Sequence, residues 1–89
     1  MDKDWLTRKL TVEEAEAENL VSDERLGLTP VPFGYCNSEW RNLRAQIQPG
    51  DELWEFTSPA ESWAQLFGRA GIALIREGEV VDSITTMMN

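Results

Sequence analysis

"AGIALIREGEVVDSITTMM", residues 70–88, is the stretch whose reading decides the fold. Its first six residues are apolar at every place, which is the pattern of a central strand covered on both faces. Gly78 supplies the positive φ of a tight turn, as a two-residue turn or as a G1 bulge after Arg76 and Glu77. The residues that follow are β-branched and alternating. That alternation sets Val81, Ser83, Thr85 and Met87 on one side and Val80, Asp82, Ile84 and Thr86 on the other. An antiparallel hairpin is therefore expected at the centre of a sheet.

Upstream, "DELWEFT", residues 51–57, supplies a further strand. Trp54 and Phe56 share one face, and Leu53, Glu55 and Thr57 take the other, so the aromatic face is expected inward. "SPAE" then predicts a helix over 59–67: Ser58 and Glu61 form a capping box, with Pro59 at the first helical position. Trp63, Leu66 and Phe67 fall on one stripe, and Gly68 stops it. "NSEWRNLRAQIQPG", residues 37–50, predicts another helix, capped by Asn37 or Ser38, with Trp40, Leu43 and Ile47 on its buried face. Pro49 and Gly50 end it.

"LTPVPFGYCN", residues 28–37, holds Pro30, Pro32 and Gly34 and cannot be helical. It is expected to be an extended connector that pins Val31, Phe33 and Tyr35 over the core. "TVEEAEAENLVSDERLGL", residues 11–28, predicts the first helix. Thr11 and Glu14 make a capping box, Ala17, Leu20 and Val21 extend a stripe begun by Leu10, and Gly27 stops it. Residues 1–10 either start a helix or lie as an arm across the core. The order is α-α-β-α-β-β, one α+β domain over residues 1–89. Residues 51–87 form a three-stranded, mainly antiparallel sheet covered by helices. Trp40, Trp54 and Trp63 are expected to converge on one layer between helices and sheet, consumed in closing the fold.

The composition narrows function by exclusion. The chain has 89 residues, sixteen acids, eight bases, no histidine and one cysteine. Without histidine there is no Ser–His or Cys–His nucleophile pair and no imidazole zinc site. One cysteine excludes an internal disulfide and a thiolate cluster within the chain. No catalytic residue, metal or cofactor is therefore assigned. A net charge of −8 argues against a phosphate backbone or an anionic membrane surface as partner. No apolar leader or membrane span is evident, so a cytoplasmic location is expected.

The functional expectation is an acidic, non-enzymatic protein-interaction or regulatory module. Residues 13–24 hold six acids and no base, so Glu13, Glu14, Glu16, Glu18, Asp23 and Glu24 form the expected surface for a protein partner, a basic one. Self-association through the C-terminal strand is a second expectation. The alternative is a small-ligand binder or enzyme that uses the carboxylates Asp51, Glu52, Glu55 and Glu61, or Arg69, or Cys36. In that reading Glu55 is either solvated or paired with Arg69 or Arg76. Cys36 stands just before a helix start, where a thiol pKa is lowered.

Overall fold

The hairpin at residues 69–88 is present and organises the rest. In the computed structural model, which describes residues 1–22 and 29–89, β5 (Arg69–Arg76) and β6 (Glu79–Met88) pair antiparallel. Glu77 and Gly78 connect them with φ of 51° and 80°, the two positive values that a two-residue type I′ turn needs. The strict alternation expected of β6 does not hold. Register shifts between Leu74 and Ile75 and between Ala70 and Gly71 leave Val81 and Thr86 as extra residues. Val80 and Ser83, expected on opposite sides, thus both oppose residues of one face of β5, Ile75 and Ala73.

β4 (Glu52–Thr57) pairs with the other side of β5, and β1 (Leu6–Leu10) pairs with β4. The order β1-β4-β5-β6 is antiparallel throughout, so the sheet has four strands rather than three. Leu6–Leu10 is therefore a strand, neither the start of a helix nor an arm across the core. It is preceded by a 3-10 turn at Lys3–Trp5 that carries Trp5 over the sheet.

The first helix is shorter than expected. α1 (Val12–Glu18) keeps the Thr11–Glu14 capping box, but the chain then becomes extended as β2 (Leu20–Val21). β2 pairs with β3 (Val31–Pro32), which gives the proline-rich connector a two-residue ladder. The buried side of α1 is Ala15, while Ala17, Leu20 and Val21 are exposed, so the expected stripe is rotated. Asp23, Glu24, Gly27 and Leu28 lie outside the described residues. Of the three side chains expected to pin the connector, Phe33 is buried, Val31 is half-buried and Tyr35 is exposed. A 3-10 turn at Gly34–Cys36 leads into α2 (Asn37–Ala45), whose N-cap is Cys36 without a side-chain cap bond.

Both faces of the sheet carry apolar residues, and this overturns the single tryptophan layer. On the helix side, Leu10, Leu53, Ile72, Leu74 and Ile84 of the sheet meet Ala15, Phe33, Trp40 and Leu43. Trp40 belongs here, its ring centroid 4.7 Å from that of Phe33. On the other side, Phe56, Ala73 and Ile75 are covered by Trp5, Leu6, Trp54 and Val80. Trp5 stacks on Phe56 at 6.5 Å. So Leu53, not Trp54, faces the helices. The Cα extents of 38 × 37 × 17 Å fit one sheet with one helix layer.

The α2–β4 turn is tied to the hairpin by one carboxylate. Asp51 accepts from Arg76 Nε at 3.0 Å (Oδ1) and 3.3 Å (Oδ2), from Arg76 Nη2 at 2.9 Å and from the Gln48 amide at 2.9 Å. Arg76 also donates to the Gln46 carbonyl at 3.0 Å. These bonds, those from Arg76 first, hold the Asp51 carboxyl below its ordinary value. A lowered folded pKa contributes stability above the unfolded value and loses it as the pH falls through the folded one. Thermal stability is therefore expected to fall as the pH drops below about 4. Asp51→Asn is expected to lower Tm at neutral pH and to flatten that acid limb. Melting curves from pH 7 to pH 2 check it, and an unchanged slope in the variant would show that Asp51 does not carry the dependence.

Candidate functional site

The acidic face proposed from the sequence is partly spent inside the fold. Glu14 Oε1 accepts from the Thr11 amide at 2.9 Å, and Thr11 Oγ1 accepts from the Glu14 amide at 3.0 Å. The Thr11 backbone bond, chiefly, lowers the Glu14 carboxyl from its ordinary value. Glu16 Oε2 accepts from Trp40 Nε1 at 2.9 Å and from Arg44 Nη1 at 3.1 Å. Glu18 and Glu55 converge on one guanidinium, Arg8, which is 2.5 Å from Glu55 Oε1. Bases are missing within the helix, and β1 and α2 supply them across space. Glu13 remains on the exposed surface.

Three of the four carboxylates of this segment are held by other groups. Asp51 binds Arg76, Glu52 accepts from Trp54 Nε1 at 3.0 Å and meets Lys9 Nζ at 3.1 Å, and Glu55 meets Arg8. Glu61 is exposed on α3. Glu55 is thus joined to Arg8 rather than to Arg69 or Arg76, with its side chain still 38% exposed. It borders a hollow of about 200 Å³ with Glu18, Thr57, Gly71 and Thr86. The Cys36 thiol is pushed up, not down, by burial first and then by Glu39. This is opposite to the lowering expected of a thiol before a helix start. Arg69 lies on the other face of the sheet, beside a shallow hollow of about 170 Å³ that also touches Trp5, Phe56, Ser83 and Thr85. Among the described residues no three potential metal ligands converge, and no helix is long and apolar enough to cross a membrane.

What the sequence reading missed is an apolar end of the sheet. α3 (Ala60–Ala64) is only five residues long. The expected Ser58–Glu61 capping box is absent because Ser58 is buried and its Oγ accepts from the Arg69 amide at 2.9 Å. The helix closes with the Leu66 amide on the Trp63 carbonyl at 3.2 Å and the Phe67 amide on the Ser62 carbonyl at 2.7 Å. That pair of bonds is a Schellman motif. Its left-handed position is held by Leu66, with φ 65°. Trp63 stays half-buried with Nε1 on the Ser58 carbonyl at 3.1 Å. Leu66 and Phe67, expected on the same buried stripe, are instead 71% and 72% exposed.

Met87 and Met88, opposite Ala70 and Arg69 at the same end, are also exposed. Asn89 fastens the two parts: its Nδ2 donates to the Trp63 carbonyl at 2.7 Å, and its Oδ1 accepts from the Gly68 amide at 2.8 Å. Met87 further shares a hollow of about 300 Å³ with Leu20, Val21, Phe33, Cys36 and Thr86. A neighbouring groove of about 340 Å³ runs between Glu39 and Asn42 of α2 and Asp82–Thr85 of β6. The available sequence signal was the pair of adjacent apolar residues before Gly68 and the methionine pair at the strand end. No protein-family model matches the chain, and no curated protein or solved structure matches it significantly.

Proposed function

We propose that the protein is a small non-enzymatic interaction module that captures a protein partner at the apolar end of its sheet. Leu66 carries this reading: a leucine in the left-handed region, 71% exposed. Left-handed backbone costs a non-glycine residue about 1–2 kcal/mol, and glycine is the usual occupant of that helix-end position. Leucine there brings no burial to offset the strain. Strain retained among exposed apolar side chains is a reason to infer a contact surface. Phe67, Met87 and Met88 are further exposed apolar side chains at this end of the sheet, the two methionines on opposite faces.

The partner in this reading is a basic protein, attracted by the net charge of −8. Glu13, Glu18, Asp23 and Glu24 would then act at long range and on the association rate, while Glu14 and Glu16 mainly hold the fold. Nucleic acid and membranes are disfavoured as partners by the same charge. A cytoplasmic setting belongs to the reading. A second, small-ligand reading rests on Arg69, whose guanidinium makes no ion pair or hydrogen bond among the described residues and stands beside Trp5 and Phe56. Benzoate would be expected to shift the Arg69 amide and the Trp5 indole signal in an NMR titration, and unmoved signals would remove that reading.

The interaction reading is tested by separating stability from binding. Leu66→Gly is expected to raise stability by about 1 kcal/mol, a rise of roughly 4–8 °C in Tm. A photo-reactive amino acid at Phe67 is expected to give a discrete protein adduct in the source cells that the same group at Arg41 does not. Leu66→Gly is expected to reduce that adduct at least fivefold. Equal adducts from both positions, or a yield unaffected by Leu66→Gly, would overturn the proposal.

A further inference from the structure

We propose that β6 accepts an extended, basic segment of the partner as a fifth strand of the sheet, seated in the groove between β6 and α2. This deepens the interaction reading and rests on it. β6 is a ten-residue edge strand, and among the described residues it has a strand partner, β5, on one side only. An unpaired edge offers a row of backbone donors and acceptors to any added strand.

The groups on that edge hold replaceable partners. The Ser83 amide donates to its neighbour's Asp82 Oδ1 at 2.8 Å. The Thr85 carbonyl accepts only a weak bond from the Cys36 thiol at 3.9 Å. Asp82 Oδ2 is steadied by Gln46 Nε2 at 2.7 Å. An entering strand would take over the Ser83 amide and the Thr85 carbonyl, and the freed Asp82 carboxylate would turn to a cation on the ligand.

The lining states the ligand's chemistry. Glu39 and Asp82 place two acids in the groove, and no lysine or arginine lines it. Beyond it along β6, the hollow at Met87 offers the apolar side chains of Leu20, Val21 and Phe33 beside Glu18 and Asn19. Alternate side chains of a strand point the same way at about 3.3 Å per residue. A lysine or arginine at Glu39 and Asp82 would therefore be followed, about four residues on, by a large apolar side chain at Leu20 and Met87. A second copy of this chain fits less well. Its own β6 carries Glu79 and Asp82 and no base, so two copies would set acid against acid.

The test uses the full chain, 15N-labelled, and an eight-residue peptide with lysine at its second position, leucine at its sixth and threonine elsewhere, so that the base and the apolar side chain share one face of the strand. Binding is expected to shift the Ser83 and Thr85 amides and to slow Ser83 hydrogen exchange at least tenfold. The same peptide N-methylated on the amides that would face β6, or with glutamate for lysine, is expected to bind at least tenfold more weakly. Ser83→Pro is expected to abolish binding, and the N-methylated peptide carries the same test if that variant does not fold. Equal binding of the N-methylated peptide would overturn strand addition. So would shifts confined to Leu66, Phe67 and Met88, or no peptide binding while the Phe67 adduct still forms, and both of those leave the interaction reading standing. A dimer in sedimentation that Ser83→Pro dissolves would replace the basic segment with a second copy.

Discussion

Replacing Trp40 with alanine is expected to remove about 3–5 kcal/mol of folding stability and to lower Tm by more than about 15 °C. Trp40 is 1% exposed and lies where α2, α1 and the connector meet the sheet. Its ring stacks at a tilt on Phe33, and Phe33 itself holds left-handed backbone, φ 62°. Removing the indole opens a cavity and also releases the packing that fixes that strained residue. The indole N–H is one of two donors to Glu16. Trp40→Phe keeps most of the packing and leaves Glu16 with Arg44, so a loss of about 1–2 kcal/mol is expected. Chemical denaturation of both variants measures the split. A Trp40→Ala protein that melts within about 2 °C of the parent would show that the helix layer does not hold the sheet.

The second large effect comes from one glycine. A Cβ added to Gly71 would stand 1.9 Å from the Ile84 carbonyl oxygen, on the backbone of the neighbouring strand. Backbone on both sides of a ladder cannot yield as a flexible side chain does. Gly71 also sits at the register shift next to Ala70, where β6 carries its extra residue Thr86. Gly71→Ala is therefore expected to separate the strands locally and cost about 3 kcal/mol or more. In a chain of this size that is a large part of the total stability. Loss of a cooperative melt, or loss of the slowest-exchanging amides of β5 and β6, is the expected readout. A variant with parental exchange rates in both strands would mean that the ladder absorbs the methyl group.

The residues that announced themselves in the sequence were those whose partners lie close by. The β5–β6 hairpin was legible because Gly78 and the apolar run at 70–75 act within one short stretch. α2 was legible from the spacing of Trp40 and Leu43. β1 was not, because "LTRKL" has a weak strand pattern, and its pairing with β4 depends on residues far along the chain. Alternation in β4 gave the correct division into two faces. It could not say that both would be apolar, and so it put Trp54 on the wrong one.

The candidate site was least legible of all. Spacing of Trp63, Leu66 and Phe67 at i, i+3 and i+4 is a sound helix signature. The helix ends before it can apply, at a leucine where a glycine would have been the signal. The acids of α1 looked free because sequence shows only local pairs. Arg8 and Arg44 reach Glu18 and Glu16 from other elements.

Because β1 is made before β4, with α1, β2, β3 and α2 between them, Leu10 must wait for Leu53. The three later strands form by short hops, β4 to β5 across α3 and β5 to β6 across two residues. Early collapse is therefore expected to assemble β4–β6 and leave an open margin along β4, to be sealed last. A nascent neighbour on the same message could occupy that margin with its own β1, and slow translation between α2 and β4 would lengthen the interval in which such an exchange can happen.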